Sequence, residues 1–282
     1  MFLPRQVFFT LSRCNPAINR HNRPWLFDPY FQPPDAPLMD IGPIKKISKH
    51  IRNGTAGTAL WNIAKKPWRI VQKRYPGMPR DLFNILRYGP HAPRFQERIW
   101  VNPADVREFI PREEIKRVTG MNRSDSSGLV IDWDQVRDVR PVAEDFRMAY
   151  CFGHWRDGKS WEELGVYDYM LQTKKYGHLT LDDMATRYAE LDRTFQEIRQ
   201  EGRLKTRDEI NSGNFREQDG ILIHIGDDGT PFFGGLGYHR LAIAKILEFD
   251  SIPACIGVVG NKALDRLPGL RAAGSGAFGK RP

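Results

Sequence analysis

The residues most able to do chemistry lie together near the C-terminus. Gly234, Gly235 and Gly237 feed directly into Tyr238, His239, Arg240 and an apolar run through Leu247. Glycines let a ligand approach the backbone closely. The start of a helix presents unpaired N–H groups and the positive end of the dipole. His239 and Arg240 fall in the first turn, where a cation opposes the helix dipole. A bound phosphate would offset that cost, with Arg240 donating through its planar fork. The other reading of the same residues turns Arg240 onto a carboxylate such as Glu201 or Asp219 and leaves the glycines as a tight turn. Spacing alone does not choose between the two.

Other chemistries find no support in the pattern. The seven histidines show no HExxH or comparable metal-ligand spacing, and neither a GxSxG elbow nor a GxxxxGK[ST] loop occurs. His224, inside an apolar stretch, reads as a core histidine. Cys14, Cys151 and Cys255 form no CxxC pair, which argues against a disulfide scaffold and for a reducing, cytoplasmic compartment. Carboxylates that could orient a nucleophile are Glu108, Asp157 and Asp219, with Glu162 and Asp227 behind them. None stands in a motif, and each is by default a surface acid.

Several elements must hold the glycine-rich turn. Thr180, with Asp183 three residues on, predicts a capping box. Leu181, Met184, Tyr188, Leu191, Phe195 and Ile198 follow at steps of 3 and 4, so one helical face runs to Gly202. Residues 221–225 (ILIHI) read as a strand, Gly226-Asp227-Asp228-Gly229 as a hairpin turn, and Phe232-Phe233 as the return strand. Residues 238–247 read as a helix buried on most sides, opening at its N-terminus onto a pocket, and 251–259 as a last strand. An earlier strand is predicted at Arg98-Ile99-Trp100-Val101, stopped by Asn102-Pro103.

The first third differs. Residues 1–95 are rich in proline and basic, with Lys45, Lys46, Lys49 and Arg52 in one cluster and Lys65, Lys66, Arg69, Lys73 and Arg74 in another. Trp61, Trp68 and Tyr75 are interleaved, a combination that can grip a nucleic-acid backbone or form an amphipathic helix. Formal net charge is +9 over 282 residues, which favours anionic partners. No apolar run is long enough to span a membrane.

The stretch Asp228-Gly229, Gly237-Tyr238-His239-Arg240-Leu241-Ala242-Ile243-Ala244 and Ile252-Pro253-Ala254 resembles the signature of the ParB/sulfiredoxin superfamily. The resemblance covers about seventy residues, and residues 191–202 resemble the helix preceding that signature. It implies an α/β (α+β) fold, a small mixed sheet with packed helices. The domain would span 96–262 with an insertion at about 104–180, preceded by an irregular basic extension, 1–95, and followed by a disordered tail, 263–282. Gly235, Gly237, Tyr238, His239 and Arg240 would then be the phosphate-binding residues. Tyr238 stands where sulfiredoxins carry their reactive cysteine, so sulfinic-acid reduction is not implied. Too little chain follows Val259 for the further domains of a partition protein. The His-Arg form of the turn is closest to that of free-serine kinases of the superfamily. The function implied is binding of a nucleotide or another phosphate-bearing ligand, with a nucleoside tri- or diphosphate and Mg²⁺ as cofactor and phosphotransfer to a small molecule as its catalytic form. The alternative is a non-catalytic nucleotide or nucleic-acid binding module whose basic surface comes from residues 1–95.

Overall fold

A computed structural model describes residues 77–173, 176–210 and 216–272. All belong to the second of the chain's two units, Lys45–Pro282. The readings made for residues 1–76, including the two basic clusters, lie outside the described residues.

In chain order the helices are α1 (Met78–Tyr88), α2 (Arg112–Thr119), α3 (Phe146–Trp155), α4 (Val166–Leu171), α5 (Leu181–Glu201), α6 (Arg207–Ile210), α7 (Tyr238–Ile246) and α8 (Leu267–Ala272). The strands are β1 (Arg98–Val101), β2 (Glu108–Phe109), β3 (Val130–Ile131), β4 (Arg140–Pro141), β5 (Ile221–Ile225), β6 (Pro231–Phe233) and β7 (Ile252–Gly260). They form one mixed seven-stranded sheet in the order β1-β7-β5-β6-β2-β4, with β3 paired to β7. The expected class, a mixed sheet with packed helices, is the one observed.

The centre of the sheet is β7 and β5, parallel neighbours in which every residue is buried. Strands covered on both faces read as continuous apolar runs, and ILIHI and IPACIGVVG do so. β6 folds back on β5 through the Asp228-Gly229 turn, antiparallel, with Ile223 opposite Phe233. β1 adds antiparallel to the other edge of β7, Arg98 opposite Cys255. α5 begins at the capping box of Thr180 and Asp183 and ends at Gly202, whose φ of 70° is left-handed. Its Met184, Tyr188 and Phe195 are buried as their spacing requires.

Two expected boundaries, of the extension and of the tail, are corrected. Residues 104–180, expected as an insertion, contribute to the sheet: β2 runs parallel to β6, Phe109 opposite Phe233, and β4 closes that edge on β2. α3, from the same stretch, packs on α7. The irregular extension stops before residue 95, because α1 is helical and anchored by the buried Asp81 and Asn84. The tail is ordered past 263. Leu267 of α8 is fully buried, and Arg271 pairs with Glu97 at 2.7 Å. The last ten residues, 273–282, lie outside the described ones.

Candidate functional site

The glycine-rich turn joins β6 to α7. Gly237 caps α7 at φ 74°, and a Cβ there would sit 2.8 Å from the Cα of Ile221. Only glycine meets both demands, the left-handed backbone and the close approach to β5. The amides of Tyr238, His239 and Arg240 open the helix and have no carbonyl one turn back to bond.

Arg240 does not face the turn. Its side chain is 3% exposed and lies against the completely buried Glu217, Nη1 to Oε1 3.7 Å, while Nη2 donates to the carbonyl of Lys205. Glu217 also accepts from Arg98 Nε at 3.1 Å and from the backbone N–H of Arg207 at 3.2 Å. The two guanidiniums and the amide offset the cost of taking the carboxylate out of water. The geometry thus gives Arg240 an internal role. Its partner is Glu217, not Glu201, which pairs with Lys205, nor the carboxylate of Asp219.

His239 packs its ring against Tyr238, 4.0 Å between centroids, and near Tyr150, Trp155 and Tyr188. Its Nε2 is buried without a hydrogen-bond partner. Burial, reinforced by Arg187 and Arg147, pushes its pKa down to about 3. Tyr238 lies under the guanidinium of Arg147, 5.1 Å from the ring centroid. Burial drives the hydroxyls of Tyr150, Tyr188 and Tyr238 above the ordinary tyrosine range. The first turn of α7 is therefore the floor of an aromatic cluster shared with α3 and α5.

Two arginines from other parts of the chain lie across the turn. Arg123, from the loop between α2 and β3, donates Nη1 to the Gly235 carbonyl at 2.6 Å. Arg147, in the first turn of α3, donates Nη1 to the same oxygen at 3.2 Å. Gly235 has φ 78°, and a Cβ on it would come 2.6 Å from Arg123 Nη1, so glycine is what admits the guanidinium. Arg147 also holds Asp145, Nη2 to Oδ2 2.5 Å, and Asp145 in turn caps α3. Arg123 has no ion-pair partner among the described residues. Its pKa is lowered, first by burial and then by the neighbouring charges of Arg147 and Arg112, against the smaller opposing pull of Glu113 and Asp145. A half-buried cation is thus held beside two others, with one neutral carbonyl as its acceptor.

The sequence reading missed both arginines. Neither stands in a motif. At the helix start, where a pocket was expected, Arg123 and Arg147 both reach the Gly235 carbonyl. A cleft of about 890 Å³ lies at the other end of α7, between Trp155, Phe195, Arg199, Lys245 and Glu248. It separates from the turn by the length of the helix, roughly 13 Å for nine residues.

The candidate carboxylates are dispersed. Glu108 is exposed on β2. Asp157 is exposed beyond α3 and bound to Arg156 at 2.8 Å, which lowers its pKa. Glu162 is exposed, and Asp227 pairs with Lys262 at 2.9 Å. Asp219, with φ 57°, adjoins Gly220, whose carbonyl would be 3.1 Å from a Cβ on Gly237.

His224 sits under the same turn and is fully buried. Its Nδ1 accepts the Val258 N–H at 3.0 Å, which fixes the neutral tautomer with the proton on Nε2. Burial, then Arg123, pushes its pKa down to about 3 from 6.5. A base whose folded pKa is depressed stabilises the fold above its unfolded pKa and ceases to do so as pH falls below it. The stability that His224 contributes should therefore decline from about pH 6.5 downward, by about 2 kcal/mol at pH 5. His239 adds in the same direction. Glu114 and Glu209, held at about 2 by Arg117 and Arg203, enter only below about pH 4.5. Urea denaturation at pH 7, 6 and 5 isolates the histidines, and a level stability across that window would contradict the assignment.

No protein-family model, no curated protein and no solved structure matches the chain.

Proposed function

We propose that the turn at residues 234–237 receives the phosphate groups of a nucleotide or another phosphate-bearing ligand, as the resemblance to the ParB/sulfiredoxin superfamily implies. The observation that carries this reading is Arg123. A half-buried guanidinium beside Arg147 and Arg112, bonded to a backbone carbonyl and with Glu113 and Asp145 attracting it without forming an ion pair among the described residues, is only partly compensated in the free protein. An anion with several oxygens would satisfy Arg123 and Arg147 together and would also meet the open amides of α7. On binding, the two guanidiniums exchange the Gly235 carbonyl for phosphate oxygens. Arg240, locked to Glu217, keeps the first turn of α7 in place beneath the ligand.

The cofactor that fits is a nucleoside tri- or diphosphate. Among the described residues no group of three or more His, Cys, Asp or Glu could hold a metal. Mg²⁺ would therefore arrive with the phosphates, which is the common arrangement because it needs only one or two carboxylates. Asp219, beside the Gly220 that abuts Gly237, is the acid we assign to serve it, or to orient a small-molecule nucleophile if the protein is a phosphotransferase. The dispersal of Glu108 and Asp157 favours the non-catalytic binding module over the enzyme.

A thermal-shift panel of nucleotides and inorganic triphosphate, with and without Mg²⁺, tests the proposal. A ligand at a hundred times its Kd should stabilise by about 2.7 kcal/mol. No shift with any phosphate ligand would remove the reading.

A further inference from the structure

The cleft of about 890 Å³ at the C-terminal end of α7 has no part in the phosphate reading, and its lining suits a different ligand. Its volume falls within the roughly 300–1,000 Å³ of small-molecule sites. One wall is aromatic. Trp155 and Phe195 lie nearly parallel, 5.1 Å between ring centroids and 13° between planes. The indole N–H of Trp155 donates to Asp192 Oδ1 at 2.9 Å, which sets the ring in place before any ligand arrives. Phe195 is buried, whereas Trp155 is only partly covered and keeps ring surface open to the cleft. Two cations share the lining. Lys245, in the last turn of α7, is half-buried, and its ammonium has no ion-pair partner among the described residues. The helix dipole favours a cation at that end but supplies it with no carboxylate. Burial, then Arg107, lowers the pKa of Lys245, against the opposing pull of Asp105. Arg199, exposed on α5, likewise makes no ion pair among the described residues. Glu248 lies just past the helix end with φ 53°. That left-handed position is ordinarily glycine's, and a side chain kept there at a conformational cost marks a place where function holds it.

These groups together define the ligand. An anionic group satisfies Lys245 and Arg199, and a planar ring lies against Trp155. Glu248 and Asp250 line the same cleft, so a densely charged ion is repelled and a hydrogen-bond donor is accepted. We infer that the cleft binds a small aromatic monocarboxylate carrying a hydroxyl or amino group. Its carboxylate meets Lys245 and Arg199, its ring meets Trp155, and its polar hydrogen meets Glu248. A polyphosphate, the ligand proposed for the turn, fits this cleft poorly, because two carboxylates stand among its two cations. The inference does not rest on the phosphate reading, since the two sites lie at opposite ends of α7.

The test is isothermal titration of the full chain with 4-hydroxyphenylacetate and 4-aminobenzoate. Acetate serves as the ring-free control and methyl 4-hydroxyphenylacetate as the uncharged one. The expected result is saturable binding of at least one of the two aromatic acids and of neither control. Lys245→Met keeps the packing of the stem and removes the charge, so it should weaken binding by about tenfold or more, the loss of one charge-assisted contact. Arg199→Gln should weaken it in the same direction. Arg199 is exposed, so this variant should melt with the parent, and it carries the test if Lys245→Met does not fold. Saturating inorganic triphosphate should leave binding of the aromatic acid in place. Four outcomes would overturn the inference. One is no binding of either aromatic acid. The second is unchanged binding in the folded variants. The third is acetate or the methyl ester binding as tightly as the aromatic acids. The fourth is competitive displacement by triphosphate, which would make the cleft a general anion site.

Discussion

Replacing Arg240 by alanine should cost the free protein roughly 3 kcal/mol of stability or more, the scale at which a buried ion pair loses one partner. Glu217 is fully buried and shares its charge between Arg240 and Arg98, so removing Arg240 leaves it with Arg98 and one amide. The Lys205 carbonyl loses its guanidinium donor at the same time. Glu217→Gln should be at least as costly, because it leaves Arg98 and Arg240 confined without a carboxylate. Arg240→Lys keeps the charge but cannot serve Glu217 and the Lys205 carbonyl together from one ammonium, so it should fall between. Denaturant midpoints of the three variants rank these effects. A loss below about 1 kcal/mol for Arg240→Ala would mean that the ion pair does not hold α7 against the loop before β5.

Arg123 should behave in the opposite way. Arg123→Ala removes a cation that burial and two neighbouring arginines already disfavour, so the free protein should be as stable as the parent or slightly more stable. Its cost should appear on ligand binding. Hydrogen bonds to charged groups are worth roughly 1.5–3 kcal/mol, so affinity for a phosphate ligand should fall by about ten- to a hundredfold. Arg147→Ala is less clean, because Arg147 also compensates Asp145 and covers Tyr238, and it should lose both affinity and stability. The contrast between Arg240, costly when free, and Arg123, costly only when liganded, distinguishes a structural arginine from a binding one.

How much of this was legible in the sequence depended on whether the signal was local. α5 was readable because its cap, apolar period and terminal glycine all lie within its own residues. β5, β6 and their turn were readable for the same reason, and so was the helix after Gly237. β2 and β4 were not, since two residues each are too few to show alternation and their partners lie far along the chain. α1 was concealed because its buried side is polar, so apolar periodicity points away from the core. The site divided in the same manner. Glycine spacing marked the turn, but no local rule places Arg123 on a carbonyl 112 residues away. Nor could spacing choose among carboxylates for Arg240, because Glu217 stands in no motif and is selected by the packing of β1, α6 and α7 around it.

The most direct measurement is isothermal titration of the full chain and of Arg123→Ala with nucleoside triphosphates and inorganic triphosphate, with and without Mg²⁺. The account predicts saturable binding by the parent protein and at least about tenfold weaker binding by the variant, with the variant's melting temperature in the absence of ligand at or above that of the parent. Binding unchanged in Arg123→Ala, or no binding of any phosphate ligand to the parent, would contradict it.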